Sequence, residues 1–470
     1  MSTSAKSLHK PRRAQITSVN ADGSRYIIHP SDVVGPFTSW RRIIALLLIL
    51  IYASLPWIQI GGYPAVYLDT NAMRFHFFGL TFLSHDIWLG FFLITGLGFG
   101  LFYATSLFGR LWCGWACPQT VFLEHVYRRI ERWLEGDAPN RRLLDTAPWS
   151  AQKLAKRGFK HLIFLLISVT IAHMFMAYFV SLPNLWDMMS HSPADNWSVF
   201  VFVFVFSGIL YFNFAWFREQ LCIVICPYGR LQSVLIDDHS VVIGYDEDRG
   251  EPRGKATQTG IGDCIDCNRC VQVCPTGIDI RQGLQLECVG CANCIDACDA
   301  IMEKLDRPKG LIRYGSLQSL AGKKTKWIRP RTIAYTILML IGLTVLSLSI
   351  SGVSSASLTA WRLGGPPYYL DDTYIRNQYM VRVSNRRNEP AYFELNAGQI
   401  DPRIQINGVG EKFLIDGNGD VVKALIVLVP KEDFQGKFSI DLSVLDESGN
   451  QLTNRELEIL GPVNALSANP

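Results

Sequence analysis

Charge is scarce in this sequence. Of 470 residues, 18% are Asp, Glu, Lys or Arg, against about 25% in soluble globular domains. A wholly soluble chain is therefore a poor fit. The mean hydropathy of +0.16 is equally low for a chain built only of membrane helices. Neither sign of charge dominates, since 45 Lys and Arg against 41 Asp and Glu leave +4. That balance gives no electrostatic case for a nucleic-acid partner. The first thirty residues are polar and lack the apolar core of a cleavable signal peptide, so the first hydrophobic stretch reads as a retained anchor. Residues 353–470 lack cysteine, which leaves that part without a disulfide framework. No C-x-x-C-H occurs, so covalent haem attachment has no site. Aromatics at 12% go with packed interiors and exclude disorder for most of the chain.

What is present divides into about three domains by length. Five apolar stretches reach the roughly 20 residues a bilayer requires. They run near Ile43–Ile60, Ile87–Phe108, Phe159–Val180, Val199–Phe217 and Ile333–Ile350. The second carries Gly90, Gly96, Gly98 and Gly100, a composition that membrane helices use for close approach. Lys and Arg number five in residues 1–40, nine in 109–158 and sixteen in 218–332. The short connections 58–84 and 182–196 hold one between them, Arg74. Positive charge marks the cytoplasmic side. The expectation is an N-terminus inside and, after five spans, a C-terminus outside. From Thr120 to Leu134, apolar Phe122, Val126, Ile130, Trp133 and Leu134 alternate with Arg128, Arg129 and Arg132. That spacing predicts a basic amphipathic helix on the inner membrane surface.

The twelve cysteines all fall on the side read as cytoplasmic and reducing. Eight form two runs, Cys264-x2-Cys267-x2-Cys270-x3-Cys274-Pro275 and Cys288-x2-Cys291-x2-Cys294-x3-Cys298. This is bacterial ferredoxin spacing, in which three thiolates of a run take one 4Fe–4S cube and the fourth reaches the other. The prediction is Cys264, Cys267, Cys270 and Cys298 on one cluster, and Cys274, Cys288, Cys291 and Cys294 on the second. Structural zinc uses paired C-x2-C and has little use for this third interval. Asp299 stands where a proline follows the first run. That position shapes backbone and is not a ligand.

The other four cysteines form a repeat 109 residues apart, Cys113-x3-Cys117-Pro118 after the second span and Cys222-x3-Cys226-Pro227 after the fourth. In a helical turn, residues four apart share a face, and the proline would end or bend that turn. Two pairs brought together would make a four-thiolate site suited to Cu(I), zinc or an iron–sulfur centre. Metal binding and thiol–disulfide exchange both remain open at Cys113, Cys117, Cys222 and Cys226. His173, Met174, Met176, Met188, Met189 and His191 lie toward the outer side. They could handle copper, although ordinary core residues are the commoner reading of such a set. From Ser351 the pattern alternates, with Tyr379–Val383, Ala391–Leu395, Val422–Val429 and Lys437–Leu445 as strands, which suggests a β-sandwich. It shows no catalytic grouping and reads as a binding or docking module. Asp416-Gly-Asn-Gly-Asp420 has the start of a calcium loop but no glycine at its sixth position, Val421, and no closing glutamate. A hairpin turn is expected there.

The paired C-x3-C-P repeats resemble the membrane polyferredoxin group that includes quinol-dehydrogenase subunits and nitrous-oxide-reductase regulators. The segment from Cys274-Pro-Thr-Gly through Glu287-Cys288-Val-Gly-Cys291 narrows the resemblance to the CcoG/FixG/RdxA family of cytochrome c oxidase accessory proteins, over nearly the whole chain. The resemblance implies an immunoglobulin-like C-terminal domain and 4Fe–4S ligation by the eight clustered cysteines. It also implies redox or copper-handling roles for the other four, and reduction of Cu(II) to Cu(I) during maturation of cbb3-type oxidase. The expected organisation is a multi-domain membrane protein. It has a cytoplasmic tail (1–40), a four-span α-helical domain with the two repeats (41–232), and a cytoplasmic region with an inserted dicluster ferredoxin (233–331, core 255–305). A fifth span (332–352) and a periplasmic immunoglobulin-like sandwich (353–470) follow. Two 4Fe–4S clusters and copper are the expected cofactors, in a bacterial inner membrane. Expected partners are membrane lipid, oxidase subunits or copper-delivery proteins, and an electron donor the sequence leaves unnamed. A homo-oligomer is compatible with the sequence. A quinol-linked electron conduit and a non-catalytic assembly scaffold are the competing readings.

Overall fold

The computed structural model describes residues 27–83, 87–352, 354–398 and 401–462. The expected tail up to residue 26 and the last eight residues of the sandwich region lie outside these. The chain forms two compact units. One comprises residues 1–58 and 90–346, and the other residues 59–89 and 347–470.

Among the described residues, five helices are long and apolar enough to cross a membrane. They include α1 (Pro36–Ser54), α2 (Ile87–Phe108) and α3 (Ala151–Val180). A short α4 (Leu182–Ser190) leads to α5 (Trp197–Phe212), which a π turn extends to Phe217, and α6 (Pro330–Ser351) is the last. The first helix begins seven residues before the apolar window because Pro36 fits its first turn. Of the polar residues that follow, Thr38 and Arg41 are buried within the protein. The glycines of α2 do not mark close packing. A Cβ on Gly90, Gly96 or Gly98 would meet nothing within 4 Å, and one on Gly100 would meet only Met339 at 3.9 Å.

The segment after α2 differs from a helix lying free on a surface. It runs as Pro118–Phe122, a π turn over Leu123–Tyr127, then Arg128–Glu135. Leu123, Tyr127 and Ile130 pack with Phe164 of α3 and with Phe214. Arg128 is buried against Glu124 and Glu219, not turned toward headgroups. Beyond α5, two antiparallel strands, Val241–Tyr245 and Ile312–Ser316, bracket the clustered cysteines.

The second unit is a sandwich of two antiparallel sheets. Its strands are β1 (Ala356–Arg362), β2 (Tyr374–Asn385), β3 (Ala391–Ala397), β4 (Gln405–Asn407), β5 (Lys412–Ile415), β6 (Asp420–Pro430), β7 (Phe438–Leu445) and β8 (Gln451–Ile459). One sheet has the order β4-β6-β2-β1, with the two-residue strand Tyr369–Leu370 also pairing with β2, and the other β5-β3-β7-β8. Alternate residues such as Val381, Phe393, Val427 and Leu442 fill the space between them. The turn Asp416–Asp420 is not a hairpin. It is a corner, because β5 pairs with β3 while β6 pairs with β2. Asn418 there adopts φ +55° and donates to the Asn388 side chain. The same unit includes three short strands from the connection between α1 and α2, Val66–Asp69, Arg74–Phe77 and Leu80–Leu83. Arg74 reaches Asp420 of the sandwich at 3.0 Å.

Candidate functional site

The two cysteine runs share one backbone plan. In the first, Asp266 and Asn268 take positive φ, and in the second Gly290 and Ala292 do so at the matching places, two and four residues after the leading cysteine. Short helices then start at Arg269 and Asn293. Left-handed residues in succession turn backbone N–H groups to one side and make an anion-binding concavity. Cys264, Cys267, Cys270 and Cys298 line one cavity. Cys274, Cys288, Cys291 and Cys294 line another, which Cys270 also borders. Apart from the thiols, both linings are mainly apolar, with Thr276 at the second and Asn268, Arg269 and Arg281 at the first.

Burial pushes these thiols up, Cys270, Cys291 and Cys298 to about 12 and Cys288 to about 11. Thiolates in such surroundings require a nearby positive charge, which bound iron supplies. No three His, Cys, Asp or Glu side chains among the described residues converge on a single ion. A four-iron cube does not need that, since each thiolate takes its own iron. The residues present therefore fit iron–sulfur clusters. Asp299, in place of the second proline, accepts from the backbone N–H of Gly310 at 2.8 Å.

The C-x3-C-P pairs adopt matching conformations, but not the α-turn expected. Cys117 N–H donates to Trp112 O, and Cys226 N–H to Leu221 O, both five residues back. Each second cysteine is extended, with ψ 127° and 110°, and its proline opens a new helix. The wider turn arises because proline fixes the start of the following helix rather than bending the preceding one. The two motifs come together. Arg110 donates to Gly229 O at 2.7 Å, and the fully buried Gln232 donates to Cys113 Sγ at 3.2 Å. Burial, with smaller contributions from neighbouring thiols, raises Cys113 to about 11 and Cys222 to about 12. Cys117 is raised by burial against the pull of the Gln119 and Thr120 N–H groups.

The thiol pairs also touch the ferredoxin loop. A Cβ on Gly114 would lie 2.7 Å from Gly290 O, so only glycine permits this approach. Arg110 donates to the carbonyls of Leu286 and Cys288. Arg41 of α1 joins Gly114 O at 2.9 Å to the Asn293 side chain at 2.6 Å. Asp296 accepts from Thr38 N–H and hydroxyl at 2.7 Å each, capping α1. Tyr314 bridges Gly290 O at 2.7 Å and the Trp115 indole at 3.1 Å. Sequence reasoning missed Arg41, Arg110, Asp296 and Tyr314. The arginines registered only as topology charges, and Asp296 sits unremarked inside a cysteine run.

On the far side of the spans from the thiol pairs, His173, Met188, Met189 and His191 line one cavity of about 660 Å³, while Met174 and Met176 do not. Its walls are chiefly Leu, Val and Phe of α3 and α5. Ser207 lines it too, buried and, among the described residues, without a hydrogen-bond partner for its hydroxyl. His173 Nδ1 donates to Val169 O at 2.8 Å, which leaves Nε2 with the lone pair.

Fold and sites together define a multi-pass membrane protein with iron–sulfur domains and an immunoglobulin-like sandwich. Residues 217–317 match the family described as "4Fe-4S dicluster domain", residues 89–136 "4Fe-4S binding domain", and residues 346–462 "IG-like fold at C-terminal of FixG". Protein RdxA of Cereibacter sphaeroides is 36% identical over 390 residues, covering 78% of this chain and 81% of that protein. Protein RdxB of the same organism is 34% identical over 404 residues, covering 81% and 84%. Nitrogen fixation protein FixG of Rhizobium meliloti is 41% identical over 316 residues, 63% of this chain and 58% of the length of FixG. The chain belongs to the FixG/RdxA family.

Proposed function

We propose that this chain is an inner-membrane oxidoreductase that reduces Cu(II) to Cu(I) for assembly of a cbb3-type cytochrome c oxidase. Cys264, Cys267, Cys270 and Cys298 hold one 4Fe–4S cluster, and Cys274, Cys288, Cys291 and Cys294 hold the second. The observation that carries the reading is the contact between the Cys288–Cys294 loop and the C-x3-C-P pairs, through Gly114, Arg110 and Arg41. Bound clusters supply one-electron storage. Cu(II) takes one electron and becomes Cu(I), the form soft thiolates retain. Cys113, Cys117, Cys222 and Cys226 take up the ion singly or in pairs, since no three of them converge on one position among the described residues. The excess of Lys and Arg puts the cysteine side inside. The 59–89 connection and the sandwich share a unit, which agrees with both lying outside, where oxidase subunits or copper-delivery proteins meet the sandwich.

Protein purified without oxygen and reduced with dithionite, then freed of excess reductant, is mixed with Cu(II) and a Cu(I)-specific chelator. The expected result is Cu(I) formation that falls at least tenfold when all four pair cysteines are serine. Equal formation in that variant overturns the role given to them.

A second reading, a quinol-linked conduit, is favoured by the 660 Å³ cavity. Its size suits an organic ligand, and His173 Nε2 and the Ser207 hydroxyl are groups that recognise quinol oxygens. A quinol analogue in copper-free buffer should reduce the clusters faster in wild type than in Gly208→Phe, a substitution that fills the cavity. Equal rates would remove this reading.

A further inference from the structure

Another cavity lies where α1 begins, and its chemistry is opposite to that of the 660 Å³ apolar one. About 50 Å³ in volume, it is lined by Arg41, Arg42, Arg128, Arg129, Arg132 and Arg141, with Glu124 as the only carboxylate. Six guanidinium groups around one small space repel one another unless something negative lies among them. The protein supplies part of that charge. Arg128 pairs with Glu124 and Glu219, Arg132 with Asp32, and Arg141 approaches Glu131 at 3.6 Å. Among the described residues, Arg41, Arg42 and Arg129 have no carboxylate within ion-pair distance.

The buried donors tell the same story independently. Arg41 is 2% exposed, and its Nε and Nη1 are taken by Gly114 O and Asn293, yet among the described residues its Nη2 has no acceptor. Arg141 is 1% exposed, and among the described residues its Nε is likewise without a partner, as are Nε of Arg128 and Arg132. Buried charged donors are rarely left this way, because each lost hydrogen bond is costly. The surplus of guanidinium charge around the cavity makes a small, oxygen-rich anion the acceptor that fits it. Guanidinium forks match the tetrahedral oxygens of phosphate, two bonds at a time. A space of 50 Å³ exceeds the roughly 30 Å³ share of one water and admits one phosphoryl group.

We infer that this arginine-lined cavity binds a phosphate group. Its place at the first turns of α1, beside the buried helix Arg128–Glu135, is the depth at which phospholipid headgroups meet a span. A headgroup phosphate and free inorganic phosphate share the chemistry, and the test separates them. Arg42 and Arg129 are the residues to change. They line the cavity without serving an internal ion pair, so R42Q/R129Q breaks none within the chain.

Detergent-purified full-length protein, with its clusters present, is titrated calorimetrically in one arm with dihexanoyl phosphatidylglycerol and in the other with inorganic phosphate. Cluster absorbance is followed to confirm an intact fold. The expected result is saturable binding in at least one arm, weakened tenfold or more in R42Q/R129Q and weakened by added salt. Binding of the lipid alone identifies a headgroup site, and binding of inorganic phosphate identifies a free-anion site. Absence of binding in both arms, or equal affinity in the double variant, overturns the inference.

Discussion

The two units of this chain hold their shapes by opposite means. The sandwich buries what a water-soluble domain buries. Val381 and Leu442 are fully enclosed and Phe393 is 1% exposed, and removing such side chains from water is the main source of stability. The helical unit buries what proteins usually keep at the surface. Arg41, Arg128, Glu131, Arg141 and Lys160 are all enclosed there, beside two cysteine-lined cavities. Buried ion pairs contribute little net stability, because desolvation offsets attraction. The comparison teaches that apolar burial accounts for the sandwich, whereas the helical unit encloses thiols that fit iron–sulfur clusters and buried arginines whose charge its own carboxylates only partly offset.

The strongest way to break the comparison is to remove iron. Chelation without oxygen should unfold the ferredoxin region, since metal-binding energy there is folding energy. Differential scanning calorimetry should then lose one transition and retain that of the sandwich. Loss of both together would contradict the independence of the two units.

A smaller effect runs the other way. Phe393→Ala should destabilise the sandwich by about 3–5 kcal/mol with iron content unchanged, measured by denaturant unfolding and metal analysis. In the helical unit Glu131 is the comparable test. Burial pushes its carboxyl up, but Arg218 and Lys160 outweigh burial and hold it at about 2. Glu131→Ala strands those cations and should cost about 3–5 kcal/mol, whereas a hydrophobic core position loses only packing.

The smallest effect concerns pH. His76 is stacked on Tyr63 at 3.9 Å and near Tyr67, and burial, with help from Arg74, lowers it to about 4. The folded state therefore holds the neutral ring, and its contribution is present above the ordinary histidine value of 6.5 and lost as pH falls toward 4. His76→Phe should flatten the pH dependence of the sandwich transition between 6.5 and 4. An unchanged profile would remove His76 as its source.

Which features were legible in the sequence follows from the same contrast. Alternation in Tyr374–Asn385 and Asp420–Pro430 announced strands because one face of each is apolar. Hydropathy announced the spans, and spacing announced the cysteine runs. Pairing across sheets was not legible. The Asp416–Asp420 turn has hairpin residues, yet its flanking strands join different sheets. The strands between Val66 and Leu83 were read as a plain connection, since each is four residues long. The buried arginines were the largest omission. Counting Lys and Arg by loop assigns a side of the membrane, but it cannot distinguish a solvated arginine from Arg41, which joins α1 to both sets of thiols.

The central claim is that eight cysteines hold iron while four others act beside it. Iron and sulfide analysis with Mössbauer spectroscopy, on anaerobic protein carrying serine at Cys113, Cys117, Cys222 and Cys226, tests it most directly. The account predicts about eight irons per chain, all in four-iron cubes, as in the unaltered protein. Loss of iron from that variant, or a single cube per chain in the unaltered protein, would contradict it.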